Sequence, residues 1–289
     1  MNDIRREINI MSSCKHPNVI NYYVSFVDES DLWLVMPILE AGSLEDILRL
    51  RYQNGIKDEA MIATILREIL KGLQYFHECG QIHRDIKAQN ILVGLDGNLH
   101  LSDFGVSARV NTGQKRQTFV GSPCWMAPEV MEQTAQGYDN KADIWSLGIT
   151  AIELTQGEAP NSELPAMRVL LVILKYEPPT LNKYETIWSQ EFKDFVDSCL
   201  QKDPTKRLSC NELLEKHKKF FAQAKDNNYV RDVLLKDLPN IDQRVSTVLQ
   251  SQAKEYYDKI EKRNNQRNKK SAVKWDFTGS SGGQDELVK

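Results

Sequence analysis

Hydrophobic residues recur at helical spacing in several parts of the chain. Near the start, Ile4, Ile8 and Met11 follow the i, i+4, i+7 spacing that predicts an amphipathic helix. Ser43, with Asp46 three residues later, is typical of a helix N-terminus. The longest apolar stripe lies further on and predicts a core helix. It consists of Ile62, Ile65, Leu66, Ile69, Leu70 and Leu73.

Short apolar runs bounded by polar turns predict strands. Residues 19–24 and 32–36 have the composition of two strands joined by a polar turn. Ile91-Leu92-Val93 and Leu99-His100-Leu101 form a second pair, and Asp96-Gly97 between them favours a tight hairpin turn. Strands and long helices are therefore predicted in the same chain.

Length, composition and charge exclude several classes of protein. With 289 residues, of which 41% are apolar, the chain can bury the core of one large domain or two smaller ones. A formal net charge of −3, with both signs abundant, provides no basic field that would indicate nucleic acid as the main partner. No apolar run approaches the ~20 residues that span a bilayer, and the charged start does not resemble a signal peptide.

The cysteines have no paired metal-ligand spacing, which favours a reducing compartment, and we expect a cytoplasmic protein that does not span a membrane. They are Cys14, Cys79, Cys124, Cys199 and Cys210.

Residues 81–105 carry the densest set of chemically active side chains. Asn90 precedes the predicted hairpin and Asp103 follows it, so the hairpin brings the two side by side. A carboxylate next to an amide oxygen suits Mg²⁺, which is usually shared with substrate phosphates. Asp85 lies one loop away and could orient a hydroxyl group and accept its proton.

His83-Arg84-Asp85, Asn90 and Asp103-Phe104-Gly105 resemble, in order and spacing, the catalytic-loop and metal motifs of eukaryotic protein kinases. Taken singly, each motif has a plainer interpretation, such as an aspartate that caps a loop. The resemblance implies an α+β, protein-kinase-like fold. Its mostly helical large lobe would be complete, and its small β lobe would be represented only by the αC helix and by the fourth and fifth strands.

The same resemblance implies transfer of the ATP γ-phosphate to a protein hydroxyl group. Asn90 and Asp103 would hold Mg²⁺, and Asp85 would orient the acceptor. Lys87, two residues after Asp85, would steady the phosphate and indicates serine or threonine rather than tyrosine as the acceptor.

ATP would lie between the two lobes. Met36 takes the gatekeeper position, and Ile38 and Leu39 belong to a hinge that contacts adenine through its backbone. Leu92 would form the floor beneath the base and, with Asn90 and Asp103, complete the cofactor site. Without the resemblance, Met36 and Leu92 are ordinary core residues.

Four residues receive regulatory roles by resemblance. Glu7 lies on the first predicted helix, where kinases place a glutamate that pairs with a lysine; the spacing alone equally indicates a solvated glutamate. Thr118 and Ser122 lie in a polar segment that matches an activation segment and would accept phosphate, the alternative being a merely mobile loop. Arg84 would receive that phosphate.

The resemblance also implies two scaffold contacts. Glu129 would form a buried ion pair with Arg207. Asp143 would brace the backbone of the catalytic loop from the start of a central helix.

The implied domain division follows the same alignment. It consists of a partial small lobe at 1–36, a hinge at 37–40, the large lobe at 41–221 and an extension at 222–289 that is helical, then polar and partly disordered. A basic run at 263–270 indicates either an acidic-partner or targeting patch or a solvated tail.

The segment from Gly121 to Met131 is similar to the STE group of kinases, germinal-centre branch. Within that branch, residues 81–85, 103–108 and 141–146 most resemble the subfamily of the oxidative-stress-responsive kinase and SPAK. This resemblance implies stress and ion-homeostasis signalling, activation by a WNK-type kinase, and cation-chloride cotransporters as protein substrates. Gln89 stands where that subfamily usually has glycine.

Two interpretations of the activity remain open. The sequence has no counterpart of the Gly-rich loop or of the lysine that pairs with ATP phosphates, so we expect an N-terminally truncated kinase domain with little or no activity as written. The alternative is an inactive pseudokinase that acts as a binding scaffold. The complete set of Asp85, Asn90 and Asp103 favours an active parent enzyme.

Overall fold

The structure, a computed structural model, describes residues 15–28, 31–103, 123–132, 139–181 and 187–239. The chain divides into two compact units, Met1–Leu238 and Pro239–Lys289. The second unit falls almost wholly outside the described residues, as do the predicted first helix with Glu7 and the polar segment with Thr118 and Ser122.

Five short strands form two antiparallel sheets in the described part of the chain. β1 (Val24–Asp28) pairs with β2 (Asp31–Val35). β3 (Gly42–Ser43), β4 (Ile91–Val93) and β5 (Leu99–Leu101) form a three-stranded sheet in that order. These small sheets beside a larger helical part confirm the predicted α+β fold.

The strand predicted at residues 19–24 is wrong in position. Only Val24 belongs to β1, whereas Val19 makes an isolated parallel bridge to Leu101, and Ile20 N donates to the Leu101 carbonyl over 2.9 Å. Val19 and Ile20 are buried, and Val24 is half exposed. The apolar run at 19–24 therefore contacts two different strands, because its first residues lie against β5 and its last residue pairs with β2. The predicted second strand is confirmed with a shift of one residue.

The remaining described residues are mainly helical. The helices are α1 (Leu44–Arg51), α2 (Glu59–Glu78), α3 (Pro128–Glu132), α4 (Lys141–Gln156), α5 (Ala166–Lys175), α6 (Gln190–Cys199), α7 (Cys210–Lys216), α8 (Lys218–Phe221) and α9 (Asn227–Tyr229). Short 3₁₀ turns occur at Ala88–Asn90, Pro123–Trp125 and Pro204–Lys206, and a π-helical turn at Val230–Leu234.

Helices α1, α2 and α4 form for reasons that are visible in the sequence. Helix α1 begins with the predicted capping box, in which Ser43 Oγ accepts from Asp46 N over 3.1 Å. Helix α2 is the predicted core helix, and its apolar stripe is fully buried. Every residue at 142–155 of helix α4 is buried. A helix buried on all sides is the centre of a fold, and the elements that carry the candidate site pack around it.

The β4–β5 hairpin forms as Asp96-Gly97 predicts. Gly97 has φ of +83°, and a Cβ atom there would lie 2.0 Å from the Asn227 carbonyl oxygen. Gly94 N donates to Asn98 O over 2.9 Å and closes the loop. Glycine therefore permits both the turn and the close packing of its tip against helix α9.

The compact unit continues past residue 221. Val230 and Leu234 are fully buried, and the Tyr229 hydroxyl is hydrogen-bonded to the Asp58 carboxylate. The first part of the predicted C-terminal extension thus packs on the helical core, and the unit ends at Leu238. Of the helices in the described ranges, none combines the length and apolar character needed to cross a bilayer.

Candidate functional site

Asp85, Lys87 and Asn90 meet just before strand β4. Asn90 Nδ2 donates to the carbonyl oxygen and to Oδ2 of Asp85, over 2.7 Å in each case. Lys87 Nζ lies 2.9 Å from the same Oδ2. Lys87 and Asn90 are buried, whereas the Asp85 side chain is 34% exposed. The loop therefore fixes a partly exposed carboxylate whose Oδ1 accepts no hydrogen bond from the described residues.

Asn90 and Asp103 present oxygen atoms of the kind that Mg²⁺ prefers. Asn90 directs its amide hydrogens at Asp85, so that its Oδ1 has no donor within the described ranges. Ser102 N donates to Asn90 O over 2.9 Å, which brings the exposed Asp103, the next residue, to the same edge of the hairpin. Asp103 has φ of +62°, an uncommon value for a residue other than glycine.

These two side chains fit a magnesium ion that is shared with a nucleotide. One carboxylate and one amide, completed by phosphate oxygens and water, are a usual ligand set for Mg²⁺ in phosphate-transferring enzymes. In the described ranges, no group of three or more His, Cys, Asp or Glu side chains converges as a metal site. The metal role of Asn90 and Asp103 stays a prediction.

Asp143, at the start of helix α4, holds the backbone of the loop. Its Oδ2 accepts from His83 N over 2.8 Å, and its Oδ1 accepts from Arg84 N over 2.7 Å. His77 Nε2 lies 2.8 Å from Asp143 Oδ2. Arg84 has φ of +72°, so the carboxylate stabilises a backbone conformation that is otherwise unfavourable. The predicted bracing role of Asp143 is confirmed.

The His83 imidazole lies beneath this loop and is completely buried. This burial lowers the pKa of His83, so the ring is neutral near pH 7. A neutral, enclosed ring packs the loop against the core and does not serve as a solvent-facing base.

Helix α4 contacts the loop and the segment at 123–125 through one polar stripe, which consists of Asp143, Ser146, Thr150 and Glu153. The Ser146 hydroxyl donates to Trp125 O over 2.8 Å, and the Thr150 hydroxyl donates to Ile86 O over 3.3 Å. Glu153 Oε2 accepts both from Ala88 N and from Trp125 Nε1, over 3.0 Å in each case. Spacings of three and four residues place the four side chains on one face of the helix.

The ionisation of Glu153 is strongly perturbed by its position in this stripe. Burial raises its pKa to about 7, against the hydrogen bonds from Ala88 N and Trp125 Nε1. The charge of Glu45 raises this pKa further, and that of Lys87 lowers it. Sequence reasoning missed Glu153, although the spacing of polar residues along an otherwise apolar helix could have identified it.

The residues predicted to surround adenine lie in the hinge, just before it and in strand β4. Ala41 N donates to Val93 O over 3.1 Å, which places the chain after the hinge beside strand β4. Leu39 and Leu92 are partly buried against the core. Met36 and Ile38 are 37% and 69% exposed. The adenine role of these four residues stays a prediction.

One aromatic residue, Tyr22, and one basic residue, Arg84, flank the site. Tyr22 packs against the core, and burial, reinforced by the charge of Asp103, raises the pKa of its hydroxyl. Arg84 is exposed on the loop next to Asp85. Its predicted role as a phosphate receiver stays a prediction because Thr118 and Ser122, the predicted acceptors, lie outside the described residues.

The predicted ion pair between Glu129 and Arg207 is confirmed. Arg207 Nη1 and Nη2 each lie 2.6 Å from one oxygen of the Glu129 carboxylate, and Arg207 is only 1% exposed. The pair ties helix α3, next to the candidate site, to the loop before helix α7.

The chain matches a known protein family over most of its length. Residues 1–221 match the family described as Protein kinase domain. "Serine/threonine-protein kinase fray2" of Dictyostelium discoideum is 52% identical over 247 residues, which cover 84% of this chain and 24% of that protein. "Germinal center kinase 3" of Caenorhabditis elegans is 48% identical over 263 residues, 83% of this chain and 44% of that protein. "Serine/threonine-protein kinase fray1" of D. discoideum is 46% identical over 246 residues, 84% of this chain and 42% of that protein.

These relatives share the motif-bearing region and are longer than the chain, which spans less than half the length of each. Their names place the similarity in the germinal-centre, STE20-like branch of the predicted kinase group.

Proposed function

Because this chain belongs to the protein kinase domain family, we propose that it carries the catalytic loop of a serine/threonine protein kinase that uses ATP and Mg²⁺. The observation that carries the proposal is the meeting of Lys87 Nζ and Asn90 Nδ2 on Asp85 Oδ2, at 2.9 and 2.7 Å. Phosphoryl transfer depends on positioning and on charge stabilisation, and these contacts fix an acid, a cation and an amide in one loop.

Asp85 acts on the acceptor. Its Oδ2 is held by Lys87 and Asn90, so Oδ1 is the oxygen that orients the serine or threonine hydroxyl and accepts its proton. The ammonium group of Lys87 keeps a positive charge beside this carboxylate and steadies the transferred phosphate. The Asn90 amide prevents Asp85 from rotating away.

Asn90 Oδ1 and the Asp103 carboxylate would hold the metal. Mg²⁺ neutralises charge on the phosphates when it is bound. The hydrogen bond between Ser102 N and Asn90 O, at 2.9 Å, keeps the two ligands together where the chain enters strand β4 and leaves strand β5, and this support is independent of the nucleotide.

Adenine would lie between the hinge and strand β4. We assign backbone contacts to Ile38 and Leu39, the floor to Leu92 and the gatekeeper position to Met36. The exposure of Ile38 and Met36, at 69% and 37%, is consistent with side chains that border an open cleft.

Regulation would act through groups that precede and follow this loop in the sequence, and through the loop itself. We assign the phosphate acceptors to Thr118 and Ser122, the receiving cation to Arg84, and the pairing glutamate of the small lobe to Glu7. Arg84 is suited to this role because it is exposed while its backbone is fixed by Asp143.

The physiological setting is a further part of the proposal and rests on sequence resemblance. It consists of stress and ion-homeostasis signalling in the cytoplasm, a WNK-type activating kinase and cation-chloride cotransporters as substrates. The proposed domain division is a partial small lobe at 1–36, a hinge at 37–40, a large lobe at 41–221 and an extension from 222. A scaffold without catalysis is not favoured, because binding alone does not require Asp85, Asn90 and Asp103 together.

Two measurements on the purified chain test the proposal. Thermal unfolding is followed with and without Mg-ATP, since a ligand at ~100 times its dissociation constant stabilises by about 2.7 kcal/mol. Incorporation of labelled phosphate into a generic basic protein is measured in parallel. We expect the Mg-ATP shift to be lost in Asp103→Asn and retained in Asp85→Asn, and the low incorporation expected of the chain as written to fall to background in Asp85→Asn.

The possible outcomes separate the two classes of function. Incorporation that depends on Asp85 supports the kinase. A shift without incorporation, also after treatment with an activating kinase, would leave a nucleotide-binding scaffold. If neither signal is observed, the nucleotide site in this chain is contradicted and only the scaffold function is left.

A further inference from the structure

Glu153 joins two segments that are distant in sequence and that meet only at helix α4. Ala88 follows Lys87 and opens the 3₁₀ turn that ends at Asn90, and Trp125 ends the turn at 123–125. A single oxygen, Glu153 Oε2, accepts from the Ala88 amide and from the Trp125 indole, over 3.0 Å in each case. The residue is 3% exposed, so water does not compete for these bonds.

Both donors depend on this carboxylate. Lys87, the N-cap residue just before the 3₁₀ turn, makes no capping hydrogen bond with its side chain. The Ala88 amide is instead capped by Glu153 from a different element. Trp125 is held at two points by helix α4, because its carbonyl accepts from Ser146 Oγ over 2.8 Å. Ser146 and Glu153 lie seven residues apart on the same face of the helix. The indole and the loop are thus aligned to one rigid element.

We propose that the Glu153 carboxylate is a pH-responsive positioning residue that aligns the loop bearing Asp85, Lys87 and Asn90 with the Trp125 segment. Ionised Glu153 binds both donors through charge-assisted hydrogen bonds, which are stronger than neutral ones. The protonated group keeps a weaker acceptor and adds an O–H donor. The two segments are then held less firmly.

The ionisable surroundings set the range of this response. Glu45 of helix α1 and Lys87 of the loop face the carboxylate with opposite charges, and Cys124 is the titratable neighbour on the Trp125 turn. Burial outweighs these charges and raises the pKa of Glu153 to about 7. The ratio of protonated to ionised Glu153 therefore changes about tenfold per pH unit, and both forms are populated between pH 6 and pH 8, within the range of intracellular pH.

The consequence for phosphoryl transfer rests on the proposed function. The link itself, in which Glu153 aligns the loop with the Trp125 segment, does not. Asp85, Lys87 and Asn90 are within five residues of the Ala88 amide in sequence, so a shift of this amide changes their position. A change in alignment can be measured in a chain that has no catalytic activity. Failure of the link and failure of the kinase assignment are therefore distinguishable.

The test is a pH titration of the ¹⁵N-labelled chain by NMR between about pH 5.5 and 8.5, in steps of about 0.3 pH units. The Trp125 indole N–H is identified by the resonance that is missing in Trp125→Phe. We expect this resonance and the Ala88 amide to titrate together, with a common midpoint close to that of Glu153. In Glu153→Gln, whose amide oxygen still accepts hydrogen bonds but does not ionise, both titrations should be lost.

Two results would overturn the proposal. One is found in the wild-type chain alone and so does not require a folded variant. Either the Trp125 indole resonance or the Ala88 amide resonance does not shift with pH, or the two resonances shift with different midpoints. The other is a titration that persists in folded Glu153→Gln, because a histidine would then be its source. Circular dichroism of Glu153→Gln establishes whether the variant is folded.

Discussion

Arg207 and Glu129, 78 positions apart in the chain, form two parallel hydrogen bonds of 2.6 Å. The remaining guanidinium hydrogens donate to the carbonyl oxygens of Gln201, Lys141 and Lys202, over 2.6, 2.9 and 3.2 Å. All five N–H groups of Arg207 are therefore paired in a site from which water is excluded. This contact fixes helix α3, and with it the segment that carries Trp125.

Arg207→Ala should destabilise the fold strongly. Removing the guanidinium leaves the Glu129 carboxylate, whose side chain is only 13% exposed, and three carbonyl groups without their donors, at an expected loss of about 3–5 kcal/mol. Arg207→Lys should also destabilise, since a lysine ammonium cannot reproduce the two-pronged geometry. Equilibrium unfolding in urea, followed by circular dichroism, measures both losses.

The matched control is Arg231→Ala. Arg231 also pairs with a carboxylate, that of Asp232 over 2.8 Å, but both side chains are about half exposed, at 48% and 60%. We expect no measurable change in the urea midpoint for this variant. Equal losses for Arg207→Ala and Arg231→Ala would mean that burial of the first pair contributes nothing.

Asp143→Asn should loosen the candidate catalytic loop. The asparagine oxygen can replace one acceptor, while its NH₂ group faces a backbone amide of His83 or Arg84 and leaves it unsatisfied. We expect a loss of about 1–3 kcal/mol and faster hydrogen exchange at these two amides. Asp139→Asn is the control, because among the described residues Asp139 accepts only from Lys141 N, over 2.9 Å at an exposed helix start, and asparagine retains such a cap. Unchanged exchange at His83 and Arg84 in Asp143→Asn would contradict the bracing role.

Sequence reasoning succeeded where the relevant contacts are local or follow a motif. Asp85 and Asn90 are five residues apart, and the glycine turn at 97 returns the chain at a fixed register, so the loop and hairpin could be predicted. The pairing of Glu129 with Arg207 came from the family resemblance, since a separation of 78 positions leaves no local signal.

The failures also have a physical basis. The strand predicted at residues 19–24 is misplaced because an apolar run does not reveal which of two neighbours it covers. Glu153 was missed because its partners, Ala88 and Trp125, are 65 and 28 residues away and because burial of a carboxylate in an apolar helix is not expected from composition. The spacing of polar residues along helix α4 could have marked Glu153 as a candidate, but only the packing identifies its partners.

Gly97→Ala should destabilise the hairpin for two separable reasons. The φ of +83° disfavours any residue with a Cβ atom, and that atom would lie 2.0 Å from Asn227 O. Gly80→Ala is the matched control, since Gly80 has φ of +71° with nothing within 4 Å of a Cβ atom. The backbone cost alone, about 1–2 kcal/mol, is expected for Gly80→Ala, and a larger loss for Gly97→Ala. Similar melting temperatures for the two variants would show that the hairpin tip can move away from helix α9.

The ionisation of Glu153 should make the stability of the whole chain depend on pH. Burial raises the pKa from 4.5 to about 7, so between these values the folded chain binds a proton that the unfolded chain does not bind. Stability from this group is therefore greatest at the acidic end and declines as pH rises towards about 7, above which it is constant. The decline amounts to at most about 3 kcal/mol. The ionised form that aligns the loop is thus also the form that costs the fold stability.

Glu153→Gln isolates this contribution. Histidines such as His83 and His217, whose pKa values are lowered by burial, give the opposite pH dependence, but they are common to both proteins. The difference in unfolding free energy between wild type and Glu153→Gln, measured in urea from pH 5 to pH 8.5, cancels them. We expect the wild type to lose stability relative to the variant as pH rises from 5 to about 7, and the difference to be constant above pH 8. Parallel curves over this range would show that Glu153 ionises at the same pH in the folded and unfolded chains.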